Sequence, residues 1–584
     1  MGMTWRLPAG GSARTGESLS GNVNRAPAVE RRGRRRVFHG AALLAVTGVD
    51  DRGKHAGRPA RIAAHLALVA LVACSSGAPA GDQAAAAAGA AGNAAAEQNG
   101  GAPGAGAAGS STAAGGDVER GLLLNTPRAT AGYTLFTPLL SDTTYLIDND
   151  GLVVHTWKSD YAPSGSVYLL DNGNLLRGAR EPGVAVFKGG GQGGRIQELT
   201  WDGELVWDFA FASEDHLLHH DIEPLPNGNL LAIAWEAKSA EEARAAGLRP
   251  DLTPEAGVWP DMVIEIEPQR PSGGRIVWEW HAWDHLVQSH DEGLPGYGEP
   301  ARHPRRIDIN GAKPPEIDPE ELEQLKALGY VPADAQPEDL GSDLLHTNAV
   351  AYNAELDQIA LSTPRLHEIW IIDHSTTAAE AASSSGGRWG HGGDLLYRWG
   401  NPAAYGRGDD NDQRLFGQHD VRWIPAGFPG AGNLLVYNNA VPEGEGSYST
   451  VVELVPPIDA QGRYVLPGDG PFGPASPAWE YVPTDKLGFS SPFISGATRL
   501  PNGNTLICAG APGRFFEVTP AGEIVWDYRD PHSGDVRMAD GSTPHPVGEF
   551  TYAVFRATKV LPHHPALAGR TLAPIDPQPP VAGR

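Results

Sequence analysis

The sequence predicts an all-β protein, a six-bladed β-propeller closed by pairing of its N- and C-terminal hairpins. Three observations predict it. Two hairpin types alternate along residues 117–584, each occurs six times, and only one short helical pattern interrupts them. The composition agrees, with 74 Gly, 49 Pro and 15 Trp, as many short strands and tight turns require.

The first hairpin type is an apolar strand, an Asn-Gly turn and a second apolar strand. It reads "VYLLDNGNLLRG" at 167–178, "IEPLPNGNLLAIA" at 222–234 and "ATRLPNGNTLICA" at 497–509. Looser copies lie at 348–362, 421–439 and 557–574. Asn-Gly favours the type I′ turn, whose twist matches that of paired strands. The second type ends on a Trp-bearing strand, as in "TYLIDNDGLVVHTW" (144–157), "IQELTWDGELVWDF" (196–209) and "FEVTPAGEIVWDY" (516–528). Longer relatives end at 274–283, 393–401 and 477–482. Two hairpins make a four-stranded sheet, and six such sheets make a ring. The hairpin at 144–157 comes first without a partner and that at 557–574 comes last, so together they are expected to complete the sixth blade and leave no open edge. The blade-end tryptophans read as packing between neighbouring blades. Residues 284–343 break the repeat, and a loop of that length is either a functional lid or disordered. Within it "DPEELEQLKALG" predicts a helix between Asp318 as N-cap and Gly329.

Residues 1–116 are of another kind. "RRGRRR" at 31–36, an apolar run at 62–73 and small residues after it make a secretory signal, too short to span a bilayer. Leu71-Val72-Ala73-Cys74 resembles a bacterial lipobox, so residues 1–74 are expected to direct export and Cys74 to carry lipid, leaving the protein at the periplasm or outer surface. A plain cleaved signal or a later start codon is the alternative. Residues 75–116 are Ala/Gly-rich and read as a flexible tether. Cys508, in the strand pattern "NTLICAG", is then the other cysteine and a small buried hydrophobe, so the folded part has no disulfide and no thiolate metal cluster. The formal charge of −25 argues against a nucleic-acid partner.

Histidine placement carries the functional signal. "HHDIEPLP" (219–226) and "GQHDVRWIP" (417–425) each set a His-Asp pair six residues before a proline. The corresponding position in the six first-type hairpins holds Gly165, His220, His346, His419, Ser495 and Arg556. Strand entries at one point of every blade form the rim of the central channel, so three histidines and an arginine are expected there. Arg365, three residues before Glu368, shares a blade with His346. Arg195 and Arg514 have the same spacing to Glu198 and Glu517 and read as structural loop arginines. His219 points to the other side of its strand and is expected outside the site or in solvent. His216, His281, His285, His303, His367, His563 and His564 share no register and are read as packing or surface residues.

Arginine beside neutral imidazoles suits a tetrahedral oxyanion. Guanidinium groups bind its oxygens bidentately and keep a neighbouring histidine neutral and nucleophilic. That combination supports sulfuryl or phosphoryl transfer through an attacking imidazole. No P-loop and no GxSxG is present to point to a nucleotide donor or a serine hydrolase.

Together "HHDIEPLPNGNLL", "HLVQ…HPRRIDIN", "LLHTNAVAYN…IALSTPRLHEIWIID" and "GQHDVRWIP" resemble the bacterial arylsulfotransferases, from roughly residue 120 onward. The resemblance implies a six-bladed propeller that moves sulfate from a phenolic sulfate ester to a phenol, ping-pong, through a sulfohistidine and with no nucleotide or other cofactor. It implies His419 as nucleophile, with His220, His346 and Arg365 binding sulfate oxygens and handling the leaving-group proton. Arg556, Ser495 and Asn348 are further candidates for substrate binding. Enterobacterial-type members carry an extra N-terminal β-domain and a disulfide near the nucleophile; here a tether leads almost directly into the ring, and no such disulfide can form. Two other readings remain at this point. One is a metal propeller with His220, His346 and His419 as ligands, which a nearby arginine disfavours. The other is a non-catalytic propeller that binds a small anion or partner in its channel.

Overall fold

In the computed structural model the chain divides into two units, Met1–Glu97 and Gln98–Arg584. The structure describes residues 118–581 except 185, 313–316, 318, 445, 487, 535 and 537–547. The expected signal, lipobox Cys74, tether and helix cap Asp318 lie outside the described residues.

Six antiparallel sheets follow one another as blades of a propeller. Blade 1 is Pro163–Leu169, Leu175–Arg180, Gly194–Leu199 and Leu205–Ala210. Blade 2 is His216–Pro224, Leu230–Glu236, Asp261–Pro268 and Gly274–His281. Blade 3 is Ala349–Asn353, Gln358–Thr363, Glu368–Asp373 and Tyr397–Trp399. Blade 4 is His419–Trp423, Leu434–Glu443, Gly446–Leu454 and Trp479–Tyr481. Blade 5 is Gly496–Arg499, Thr505–Ala509, Arg514–Val518 and Ile524–Arg529, with Gly121–Asn125 added as an outermost fifth strand that the hairpin pattern does not predict.

Blade 6 differs from expectation in how it is assembled. Its innermost strand is Val554–Val560, and the other three are Tyr133–Pro138, Thr143–Ile147 and Val153–Lys158. One C-terminal strand therefore pairs with three N-terminal ones, Tyr133 opposite Val560 and Pro138 opposite Val554. The pairing of two terminal hairpins is not what the sheet contains. After Val560 the segment carries Pro562, Pro565 and Pro574, which lack the N–H that a ladder needs, and it forms only a short 3₁₀ turn at Pro565–Leu567.

The core is a ring of interfaces. Each of six apolar clusters joins one blade to the next, from blades 1 and 2 round to blades 6 and 1. The middle strands are near-continuous buried runs, such as Leu230–Glu236 and Glu368–Asp373, because both faces of a blade are covered by neighbours. A tryptophan in every last strand ties the ring further. Trp157, Trp207, Trp399, Trp479 and Trp526 donate their indole N–H to backbone carbonyls of Thr200, Gly273, Pro474, Pro520 and Asn149, at 2.7–3.1 Å. Trp278 donates to the Thr376 hydroxyl at 3.1 Å. Every acceptor lies in the turn between the third and fourth strands of the following blade, so the expected inter-blade packing is present and also hydrogen-bonded. Within four blades, Asn174, Asn229, Asn433 and Asn504 at the end of the first turn donate to Glu198, Glu265, Glu453 and Glu517 at 2.5–2.6 Å, locking the turn to the third strand.

The 284–343 insertion folds against the propeller. It contains a two-stranded parallel pair, Leu286–Val287 with Ile307–Asp308, and helices Pro319–Ala327 and Pro337–Leu340. Leu322, Leu328, Val331, Ala335 and Leu340 share one apolar cluster with Leu139, Ala162, Ile494 and Phe555 from blade-connecting loops and blade 6.

Candidate active site

The register of the first strands brings His220, His346 and His419 together. The His220 and His346 rings lie 4.5 Å apart in a T-shaped arrangement. His419 is close enough to act electrostatically on His220, and His346 on His419. The chain turns sharply to place them: φ is +53° at His220, +57° at His346 and +57° at Asp420, a left-handed conformation that is costly for residues with a side chain. Gly165 stands at the same register because a Cβ there would lie 1.7 Å from the His220 carbonyl oxygen.

Each imidazole is held through Nδ1. His346 donates Nδ1–H to Asp343, whose other oxygen accepts the Trp235 indole N–H at 3.1 Å. Burial alone would raise the Asp343 carboxyl, but His346, Arg365 and His219 hold it below its usual range. His419 Nδ1 lies 2.9 Å from Asn439 Oδ1 and 3.1 Å from the Gly417 carbonyl; both are acceptors, so Nδ1 carries the proton. Asn439 is itself fixed by donating to the Ser491 and Ile494 carbonyls. His220 Nδ1 meets His219 Nδ1 at 2.7 Å, and His219 Nε2 faces Asp261 Oδ1 at 3.3 Å. One Nδ1 of this pair donates to the other, while His219 Nε2 and Asp261 Oδ1 make no hydrogen bond. Asp261 accepts the Thr347 N–H at 2.7 Å. His219 is thus buried, stacked on Trp235 at 4.1 Å, and not in solvent.

His419 Nε2 consequently carries a lone pair and accepts the Ile494 N–H at 3.1 Å, while His220 Nε2 meets the Tyr330 hydroxyl at 3.5 Å. His346 is the most open of the three, half-buried where His220 and His419 are buried. Burial, with some help from His346 and Arg556, draws the His419 pKa to about 3 against the hydrogen bonds of Asn439 and Gly417. Burial and then His346 take His220 well below its ordinary value. Both are neutral at pH 7.

Arg365 lies beside this group. Its Nη2 donates to the Leu340 carbonyl at 3.1 Å, and its buried Nε has no hydrogen-bond partner, leaving donor capacity for an anion. Burial lowers its pKa, and Asp343 opposes that. His367, placed by the sequence among packing residues, accepts the Gly417 N–H on Nδ1 at 3.0 Å, two residues from His419. Burial, then Arg365, takes its pKa to about 4.

The remaining candidates sit at the rim with their polar groups engaged in the fold. Arg556 is buried between Asp221 and Asp420, with Nε 3.0 Å from Asp420 Oδ1, and it donates to Ser166 and to the Asn348 carbonyl. The aspartate of each His-Asp pair thus holds Arg556 while the histidine faces the site. Ser495 donates to Ser491 and accepts the Gly510 N–H. Asn348 donates to the Gln418 carbonyl at 2.9 Å, bracing the turn before His419, and its Oδ1 is buried without a partner. Arg195 pairs with Glu181 and Asp208, and Arg514 with Asp527, so both are structural. Asp343, Asn439, Asp261 and Tyr330 are the residues the sequence reading missed. Asp343 lies three residues before His346, which is the one local cue. Among the described residues, no group of three or more His, Cys, Asp or Glu is arranged to hold a metal ion.

An arylsulfotransferase (ASST) family profile matches residues 130–536. The chain belongs to the arylsulfotransferase family. The match spans the described propeller from blade 6 round to blade 5 and contains all three histidines and Arg365. Membership supports aryl sulfotransferase activity, with a sulfate donor and a phenol acceptor in general. No curated protein matches this arylsulfotransferase. Among solved structures it is similar to a protein of unknown function from Bacteroides caccae, at 11 % identity, TM-score 0.36, over 73 % of this chain and 98 % of that one. It is also similar to a catalytically inactive virginiamycin B lyase from Staphylococcus aureus with quinupristin, at 10 % identity, TM-score 0.30, over 72 % and 95 %. Likenesses at this level bear on neither mechanism nor substrate.

Proposed function

We propose that this arylsulfotransferase moves a sulfuryl group from a phenolic sulfate ester to a phenol, ping-pong, through a sulfohistidine. The carrying observation is the convergence of three imidazoles, each clamped at Nδ1 so that Nε2 is the nitrogen left for the reaction. His419 Nε2 attacks sulfur, an N–S bond forms and the ester S–O bond breaks. His346, held at Nδ1 by Asp343, acts as general acid from Nε2 and gives a proton to the leaving phenolate oxygen. Arg365 holds sulfuryl oxygens, for which its unpartnered Nε supplies a donor. In the second half, His220 or His346 takes the acceptor's phenolic proton as its oxygen attacks sulfur and the N–S bond breaks. The acid and base each supply of the order of 10²–10⁴-fold.

One observation favours a second reading, in which His346 is the nucleophile. His346 alone has an open, unoccupied Nε2 and a carboxylate behind it, whereas His419 must first give up the Ile494 N–H. A single experiment separates the two. The protein is incubated with radiolabelled aryl sulfate and digested under mild alkali, and the acid-labile label is mapped. Label on the peptide containing His419, lost together with turnover in His419→Asn, is expected. Label retained in that variant and mapped to His346 overturns the assignment.

We further propose that the protein is exported and anchored through a lipid on Cys74, on the strength of the Leu-Val-Ala-Cys stretch. The mass of the mature N-terminal peptide tests it, an unmodified chain beginning upstream of Cys74 being the contrary result.

A further inference from the structure

Tyr330 is a phenol placed against the imidazoles of an enzyme whose substrates are read here as phenols. Its hydroxyl lies 3.5 Å from His220 Nε2. Its ring packs against Phe493 with centroids 5.2 Å apart, and Phe493 meets Phe550 edge-on at 5.4 Å. On the other side runs the glycine loop 189–191. A Cβ at Gly190 would lie 2.0 Å from the Tyr330 ring, and one at Gly191 would lie 2.2 Å from His220 Nε2. The absence of two side chains therefore makes a flat slot, with an aromatic wall, a glycine wall and an imidazole nitrogen at its end.

The ring that fills this slot comes from the insertion and not from a blade. Tyr330 follows the Pro319–Ala327 helix and Gly329, whose φ of +69° turns the chain inward. Leu328 and Val331 on either side pack with Ile494 and Phe555. Lys188, just before the glycine loop, lies 3.2 Å from Asp334 and 3.3 Å from Asp339. The same lid cluster includes Ile494, the residue whose N–H occupies His419 Nε2. The residue that packs on the Tyr330 ring, Phe493, is thus next in the chain to the one that caps His419, Ile494.

We propose that the space between Phe493, Gly190 and His220 is the aryl subsite, and that Tyr330 occupies it as an internal stand-in for a phenolic substrate. An external phenol or aryl ester must displace the Tyr330 ring, and its oxygen then takes the place of the Tyr330 hydroxyl beside His220. Loss of the Tyr330 ring from Phe493 loosens the 493–495 turn and releases His419 Nε2. This proposal rests on the sulfuryl-transfer reading for the identity of the ring that enters.

The test uses the full chain and 4-nitrophenol as probe. If the slot is free in about one molecule in ten, Tyr330→Ala binds 4-nitrophenol roughly tenfold more tightly than wild type by calorimetry. In the unsubstituted protein, saturating 4-nitrophenol should lower the hydrogen-exchange protection of residues 319–331, a readout that survives even if the alanine variant fails to fold. Equal or weaker binding by a folded Tyr330→Ala overturns the proposal. So does unchanged exchange at 319–331, or failure of both proteins to bind the probe. The two readings fail separately: sulfohistidine formed from 4-nitrophenyl sulfate with no such displacement sinks the slot alone, and displacement without any sulfohistidine sinks the transfer chemistry.

Discussion

At the scale of single residues, the chemistry depends on which nitrogen of each imidazole is spent. Asp343 accepts Nδ1–H from His346 and so directs the other nitrogen to the site. Asp343→Asn keeps the volume, removes the balancing charge and can present an N–H to Nδ1. We expect kcat to fall by about 10²–10⁴-fold with the melting temperature little changed, as for loss of one acid–base contribution; a kcat within threefold of wild type would remove Asp343 from the mechanism. The three histidines were legible in the sequence because one repeat puts them at one register. Their partners were not. Asn439 lies on the second strand of its blade, Asp261 on the third, and Tyr330 on the insertion, and no period relates such positions to the register. Arg556 was found by register but not its role. Strand alternation sends Asp221 and Asp420 to the opposite side from His220 and His419, and those carboxylates already claim the guanidinium.

Between elements, titratable pairs hold blades together, and one of them sets a pH window. His374 donates to Asp357 at 2.7 Å and to Glu265 of blade 2 at 3.1 Å, which requires both ring nitrogens to be protonated. Burial would lower the His374 pKa, but the two carboxylates raise it above 6.5. Burial would raise Glu265, but His374, Asn229 and Asn227 hold it at about 2 against an ordinary 4.5. The histidine's contribution is full below pH 6.5 and is lost as pH rises through its folded value. The glutamate's is full above pH 4.5 and is lost as pH falls through about 2. His374→Leu should therefore cost about 1.5–3 kcal/mol between those limits. Denaturation curves of both proteins at pH 2, 5.5 and 9 check it; a stability gap independent of pH would show that the pair acts by packing alone. The hairpin elements themselves were readable because Asn-Gly turns recur. The closing strands were misassigned because no Asn-Gly turn joins Tyr133–Pro138 to Thr143–Ile147, and the copy at 557–574 contains a proline-rich second half that cannot pair.

Over the whole molecule, Arg556 reaches across the axis from blade 6 to Asp221 of blade 2 and Asp420 of blade 4. Asp221 also accepts the Val350 N–H of blade 3, and Asp420 the Ala497 N–H of blade 5. Arg556→Met leaves buried Asp221 without its ion-pair partner and Asp420 with Arg422 alone, and should cost about 3–5 kcal/mol. Adding Asp221→Asn and Asp420→Asn should recover part of that loss in chemical denaturation; no recovery would mean that the guanidinium serves by shape and not by charge. Arg556 belongs to Val554–Val560, the strand that also closes the ring. Seam and axial pin therefore arrive on the same seven-residue segment, which the ribosome makes after every other strand of the propeller. Until it docks, the sixth blade lacks its innermost strand, and Asp221 and Asp420 lack the guanidinium that joins them across the axis. Closure of the ring and pinning of its axis are thus completed together, by the last strand of the propeller.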